Sequence, residues 1–117
     1  MITVFYYPKC STCIRALKWL REQGIEFNER HIVEEVPTGG ELREILNKSG
    51  LPIKKLFNVS GKVYKEMNIK DKLASMSDDE KISLLAENGM LIKRPLVLGE
   101  DFSLIGFKES EWVDKLC

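Results

Sequence analysis

The feature that most constrains this chain is Cys10-Ser11-Thr12-Cys13, a cysteine pair set at the junction of two different periodicities. Ahead of it, Ile2 to Tyr6 is a short β-rich run bounded by Pro8. Behind it, Cys13, Ala16, Leu17 and Leu20 recur at helical spacing from Ser11 to Gln23, and Gly24 is a natural stop. A pair between a strand and a helix puts Cys10 at the helix N-terminus. There, unpaired N–H groups and the positive end of the dipole favour an anion such as a thiolate. Lys9 and Arg15 add positive charge nearby. Cys13, one turn further in, is placed to attack a mixed disulfide at Cys10. The pattern therefore assigns Cys10 as nucleophile and Cys13 as resolving thiol. Two other readings stay open: half of a zinc site completed by His31 and Cys117, and a pair of inert buried thiols.

The rest of the chain sets this motif in an α/β frame. Glu26 to Val33 is a second strand candidate, ended by Pro37-Thr38-Gly39-Gly40. Strand, helix and strand, joined by a crossover of about 20 residues, make a βαβ unit with parallel strands and a right-handed connection. The middle is helical. Leu42, Ile45 and Leu46 mark a helix from Glu41 to Lys48 that stops at Ser49-Gly50, and Val63 to Met67 is a shorter one. Ser77-Asp78-Asp79-Glu80 opens a third helix, which runs through Ile82, Leu85 and Ala86 to Asn88-Gly89. Strands return at Leu96-Val97-Leu98 and Phe102 to Phe107, joined by a hairpin turn at Gly99-Glu100-Asp101. A last helix, Glu109 to Leu116, turns Trp112, Val113 and Leu116 inward. The expected fold is a small mixed sheet, βαβ then ββα, with a helical subdomain at about 38–92 inserted between the second and third strands of one domain spanning 1–117.

Composition removes several function classes. With 117 residues, 44% of them apolar, the chain can bury a core as one domain. Eighteen Lys and Arg offset eighteen Asp and Glu, an argument against direct nucleic-acid binding, which leaves a basic footprint. No apolar run approaches the roughly 20 residues that span a bilayer. Met1 to Tyr7 has no basic region and no small-residue cleavage site, so it reads as a strand and the expected compartment is the reducing cytoplasm. Three cysteines are an odd number for a disulfide scaffold.

Other residues read more plainly. His31 is expected at a surface or strand edge rather than as a general base, and Cys117 as an exposed terminal thiol without an assigned task. Trp19 and Trp112 read as packing residues, and Lys54-Lys55 and Lys70-Asp71-Lys72 as solvated faces. Asp78-Asp79-Glu80 is a helix start, because three adjacent acids on a first turn do not converge on one ion.

Arg94-Pro95, just before the third strand, is the second functional feature. In a thioredoxin-like fold a proline at this place leaves the ladder open toward a bound partner, and Arg94 would then reach the Cys10 thiolate or an oxyanion with its fork of donors; a plain turn proline beside a solvated arginine is the other reading. Cys10-Ser11-Thr12-Cys13-Ile14-Arg15-Ala16, Phe57-Asn58-Val59-Ser60-Gly61, Tyr64-Lys65-Glu66-Met67-Asn68 and Met90 to Pro95 together resemble the arsenate reductase ArsC / Spx family over essentially the whole chain. The resemblance implies a thioredoxin-like core, a cis Pro95 facing the cysteines, Cys10 at the position of the cysteine that attacks arsenate and Arg94 at that of one of the arginines that hold the oxyanion. Two further family arginines align with Asn58 and with Phe107 or Lys108, which are not arginines here. It implies no bound cofactor, and a co-substrate that is glutathione or a thioredoxin/glutaredoxin-type reductant. The C-x-x-C is similar to that of the Spx-type regulators, which sense oxidants and bind the RNA polymerase alpha C-terminal domain. Gly50 best matches the glycine tied to that contact. The first expectation is thus a thiol oxidoreductase acting on a small oxyanion or disulfide, and the second an Spx-like redox switch.

Overall fold

A computed structural model describes all residues, 1–117. Its centre is a four-stranded sheet in the order β2-β1-β3-β4. Strand β1 (Ile2–Tyr6) runs parallel to β2 (Phe27–His31), with Ile2 opposite Phe27 and Tyr6 opposite His31. Strand β3 (Leu96–Leu98) is antiparallel to β1, with Val4 opposite Val97, and β4 (Ser103–Ile105) is antiparallel to β3. Helix α1 (Ser11–Glu22) supplies the β1-to-β2 crossover. This is the thioredoxin-like arrangement expected from the sequence.

Strand alternation sorts side chains to two cores. On one face Val4, Val97 and Leu104 pack with Ala16, Leu17 and Leu20 of α1 and with Trp112 of α6 (Glu109–Leu116). Trp112 donates its indole N–H to the Gly106 carbonyl at 3.1 Å, and its ring meets Trp19 and Phe107 edge-on. On the other face Phe5 and Leu96 meet the insertion: α2 (Gly39–Ser49), a 3₁₀ turn at Ile53–Leu56, α3 (Lys62–Glu66), α4 (Ile69–Leu73), α5 (Asp78–Glu87) and a 3₁₀ turn at Gly89–Leu91.

Several expected boundaries move. Strand β2 stops at His31 because the His31 Nδ1 accepts the Val33 and Glu34 N–H groups at 3.1 Å each and turns the chain there. Strand β4 ends at Ile105 because Gly106 takes a left-handed φ of 78° and donates its N–H to the Pro95 carbonyl. Helix α2 starts at Gly39, inside the stretch read as a strand stop, because Thr38 and Glu41 form a capping box. Helix α4 and both 3₁₀ turns have no counterpart in the sequence reading; elements this short carry too little periodicity to show there. Val113, expected inward, is exposed, since only Trp112 and Leu116 of that helix face the core. No helix is long and apolar enough to cross a membrane.

Candidate functional site

The cysteine pair sits where β1 hands over to α1. The Cys10 N–H donates to the Tyr7 carbonyl at 3.1 Å, closing a tight turn over Pro8 and Lys9. Cys10 is the extended N-cap residue of α1, and its carbonyl accepts the Ile14 N–H at 3.0 Å. Its side chain is half-buried, Cys13 is fully buried and Cys117 is exposed; all three are free thiols.

Arg94 reaches this turn from the segment that leads into β3, the neighbour of β1. The Arg94–Pro95 bond is cis. The Arg94 guanidinium lies 5.0 Å above the Tyr7 ring, which fixes it beside the cysteines. Its Nε and Nη1 groups are buried and meet no protein acceptor.

These surroundings give the two sulfurs opposite tendencies. Burial opposes ionisation of Cys10, but the Cys13 backbone N–H, the Cys13 thiol and the Arg94 guanidinium outweigh it, so the Cys10 thiol lies below its ordinary value. The neutral thiol makes no capping hydrogen bond; the anion is what these donors favour. Cys13 is pushed up to about 12, first by burial, eased by the Tyr7 backbone N–H and reinforced by the Cys10 charge. The pair thus sets an accessible thiol that ionises more readily than usual beside a buried thiol that resists ionisation. Neither Lys9 nor Arg15 contributes: both are exposed, and Arg94 supplies the charge instead.

A mostly polar cleft of about 270 Å³ opens over Cys10, lined also by Thr12, Asn58, Ser60, Gly61, Lys93 and Arg94. A lone bridge between Phe57 and Ile92 builds its far wall: Asn58 donates to the Leu91 carbonyl and Lys93 to the Leu56 carbonyl, both at 2.7 Å. Gly61 is tied to that wall, because a Cβ there would meet Asn58 Nδ2 at 2.7 Å. Of the two positions aligned with family arginines, Asn58 faces the cleft. Phe107 does not: its ring packs 4.8 Å from Trp112. Gly50 lies outside the cleft, as the exposed left-handed cap of α2 with φ 67°. His31 packs edge-on to Tyr6 and Tyr7 and does not line the cleft. Nowhere do three or more His, Cys, Asp or Glu side chains gather as a metal site would need. Sequence reasoning missed Lys93, Ser60 and Thr12; only their adjacency to Arg94, Asn58 and the cysteines marked them.

The model of the ArsC family matches residues 5–114. The uncharacterized protein YusI of Bacillus subtilis (strain 168) is 51% identical over 111 residues, covering 95% of this chain and 94% of its own length. The regulatory protein MgsR of the same organism is 32% identical, over 94% of this chain and 86% of its length. The global transcriptional regulator Spx of Streptococcus pyogenes serotype M1 is 31% identical, over 95% and 81%. Among solved structures, one from Bacteroides fragilis described as related to the ArsC family superposes with TM-score 0.92 at 51% identity, over 97% of this chain and 95% of that one. One from Streptococcus mutans UA159, described as a possible arsenate reductase, gives 0.88 at 42%, over 97% and 98%. An arsenate reductase from Vibrio cholerae gives 0.87 at 28%, over 98% and 97%.

Proposed function

Because the chain belongs to the ArsC family, whose relatives here include both a reductase and regulators, we propose that it is a cytoplasmic thiol oxidoreductase with Cys10 as nucleophile and Cys13 as resolving thiol. The observation that carries this reading is the placement of a half-buried Cys10 at the N-cap of α1, with Cys13 buried one turn on and Arg94 lining the same cleft. The Cys10 thiolate attacks a substrate disulfide; a Cys10–substrate bond forms, the substrate S–S bond breaks, and one substrate thiolate leaves. Cys13 then attacks the Cys10 sulfur, passing its proton to the second departing thiolate. The substrate is reduced by two electrons and a Cys10–Cys13 disulfide remains. Glutathione or a thioredoxin/glutaredoxin-type protein returns the electrons.

A disulfide fits this cleft better than arsenate does. Arg94 offers two unengaged donors, but Asn58 and Phe107 stand where two more guanidinium groups are expected. Each missing charge-assisted contact costs an oxyanion about 1.5–3 kcal/mol. The test is alkylation of Cys10 against pH beside disulfide exchange. Cys10 should react with a midpoint below the ordinary thiol value. Cys10→Ser should abolish exchange, and Cys13→Ser should trap the mixed disulfide. An ordinary midpoint with Cys10-independent exchange ends the reading.

A second reading is an Spx-like redox switch that docks on the RNA polymerase alpha C-terminal domain. Exposed Gly50 beside exposed Leu51 favours it, as does identity to MgsR and Spx over most of the chain. A pull-down with that domain, reduced and oxidised, decides: binding in neither state removes it.

A further inference from the structure

The Cys10 cleft does not end at Lys93. Lys93 also lines a larger hollow of about 390 Å³, together with Leu51, Lys54, Lys55, Phe57 and Val59. Lys54 and Phe57 also line a third hollow of about 360 Å³, which Lys70 borders. Three adjoining hollows therefore run from the nucleophile across the helical insertion. Of the five lysines that line these hollows, Lys54, Lys55, Lys70 and Lys93 form no ion pair, and only Lys81 lies within 4.0 Å of a carboxylate, that of Asp78. Leu51 and Val59 are 42% and 48% exposed, so the basic groove also carries accessible apolar surface. Beyond Leu51 and Ile105 carboxylates enter the lining: Glu111 and Asp114, with Lys115 beside them, border a separate hollow.

Building on the thiol–disulfide reading, we propose that this groove docks an acidic peptide segment bearing apolar side chains, part of the protein whose disulfide Cys10 attacks. Four unpaired lysines along a groove with no carboxylate in its lining favour an anionic occupant, and the exposed Leu51 and Val59 side chains favour apolar groups on the same molecule. A chain of hollows leading to the sulfur suits an extended peptide, whose side chains alternate at roughly 3.3 Å per residue. Single-stranded nucleic acid would need an exposed aromatic platform, and Phe57 is only 2% exposed.

The test uses short peptides with one cysteine held as a mixed disulfide with thionitrobenzoate. The cysteine is flanked by Glu and Leu in one peptide and by Lys and Leu in another; the mixed disulfide of free cysteine is the small control. Attack by Cys10 joins it to the peptide sulfur and releases coloured thionitrobenzoate. At low salt the acidic peptide should react about tenfold faster than the basic one, with the difference shrinking as salt rises. The exposed-site variant Lys54→Glu/Lys55→Glu/Lys70→Glu should erase that preference. It should leave the small control and the thermal unfolding midpoint unchanged. Equal rates for the two peptides, or a preference that survives in the variant, overturn the groove while the thiol reading stands. Silence of every probe, the small control included, removes both. An oligonucleotide that blocks the acidic peptide's reaction, or self-association that the variant abolishes, assigns the groove to another occupant and overturns the proposal.

Discussion

Arg94 buries two N–H groups that no protein acceptor satisfies, an arrangement that costs about 1–3 kcal/mol of desolvation for each unmet donor. The return is functional: the same guanidinium favours the Cys10 thiolate. Arg94→Met should therefore raise the midpoint of Cys10 alkylation toward the ordinary thiol value and slow the reaction below it. The thermal midpoint should stay level or rise, because the cation–π contact with Tyr7 is worth only about 0.5–1 kcal/mol. An unmoved alkylation midpoint would leave the Cys13 backbone N–H and the Cys13 thiol as the sources of activation. Cys13 makes an opposite, alkaline prediction. Its folded value is raised to about 12, so its contribution is intact below the unfolded thiol value and is lost as pH rises toward 12. Cys10 has the reverse sign: its contribution is present above the unfolded value and lost as pH falls through the folded one. Urea unfolding of the reduced protein should show stability falling above a pH of about 8.5. Cys13→Ala should flatten that limb, after a constant offset for the cavity it leaves.

At the scale of elements, the insertion depends on how its helices begin. Thr38 accepts the Glu41 N–H at 3.1 Å, Glu41 accepts the Thr38 N–H at 3.0 Å, and Ser77 and Glu80 repeat the arrangement on α5. Glu41 also pairs with Arg30, which donates to the Glu35 and Val36 carbonyls and lies over the Phe5 ring, so one cap fastens α2 to β2. Thr38→Ala should cost about 1 kcal/mol in denaturant unfolding, and Ser77→Ala a similar amount. Cys10 alkylation should not change in either, since both caps lie away from the cleft. A change in thiol reactivity would show that the insertion transmits strain to Cys10. The Ser77 box was legible in the sequence, whereas the Thr38 box was hidden by the two glycines that follow it, which read as a break.

At the scale of the whole molecule, the two cores must hold their registration for Asn58 and Lys93 to face Cys10. Three contacts clamp the insertion to the sheet: Ser103 Oγ donates to the Ile45 carbonyl, Lys48 Nζ donates to the Gly99 carbonyl at 2.9 Å, and Gly89 lies flat against Ile32. A Cβ on Gly89 would stand 2.2 Å from the Ile32 oxygen and 2.9 Å from the Val33 Cα, both backbone atoms. Gly89→Ala should therefore cost at least about 1–3 kcal/mol. Unlike the cap variants, it should also alter Cys10 alkylation, because moving the second 3₁₀ turn shifts the bridge behind Asn58. Lower stability with unchanged alkylation would show the cleft wall to be independent of that clamp.

The order of elements, the parallel crossover, the helix-terminal thiolate and the distant Arg94-Pro95 were written in short-range patterns: period-two and period-3.6 spacing, turn residues, and a cysteine pair between them. Those signals act through bonds and neighbours a few residues apart, so the amino-acid order alone determines them. The stacking of Arg94 on Tyr7, Asn58 in the cleft wall, the withdrawal of Phe107 into a tryptophan cluster and the lysine groove beside Lys93 arise between residues far apart in the chain. Only the packing of two cores on one sheet sets those distances, because burial and charge act on whatever the fold brings within a few ångströms.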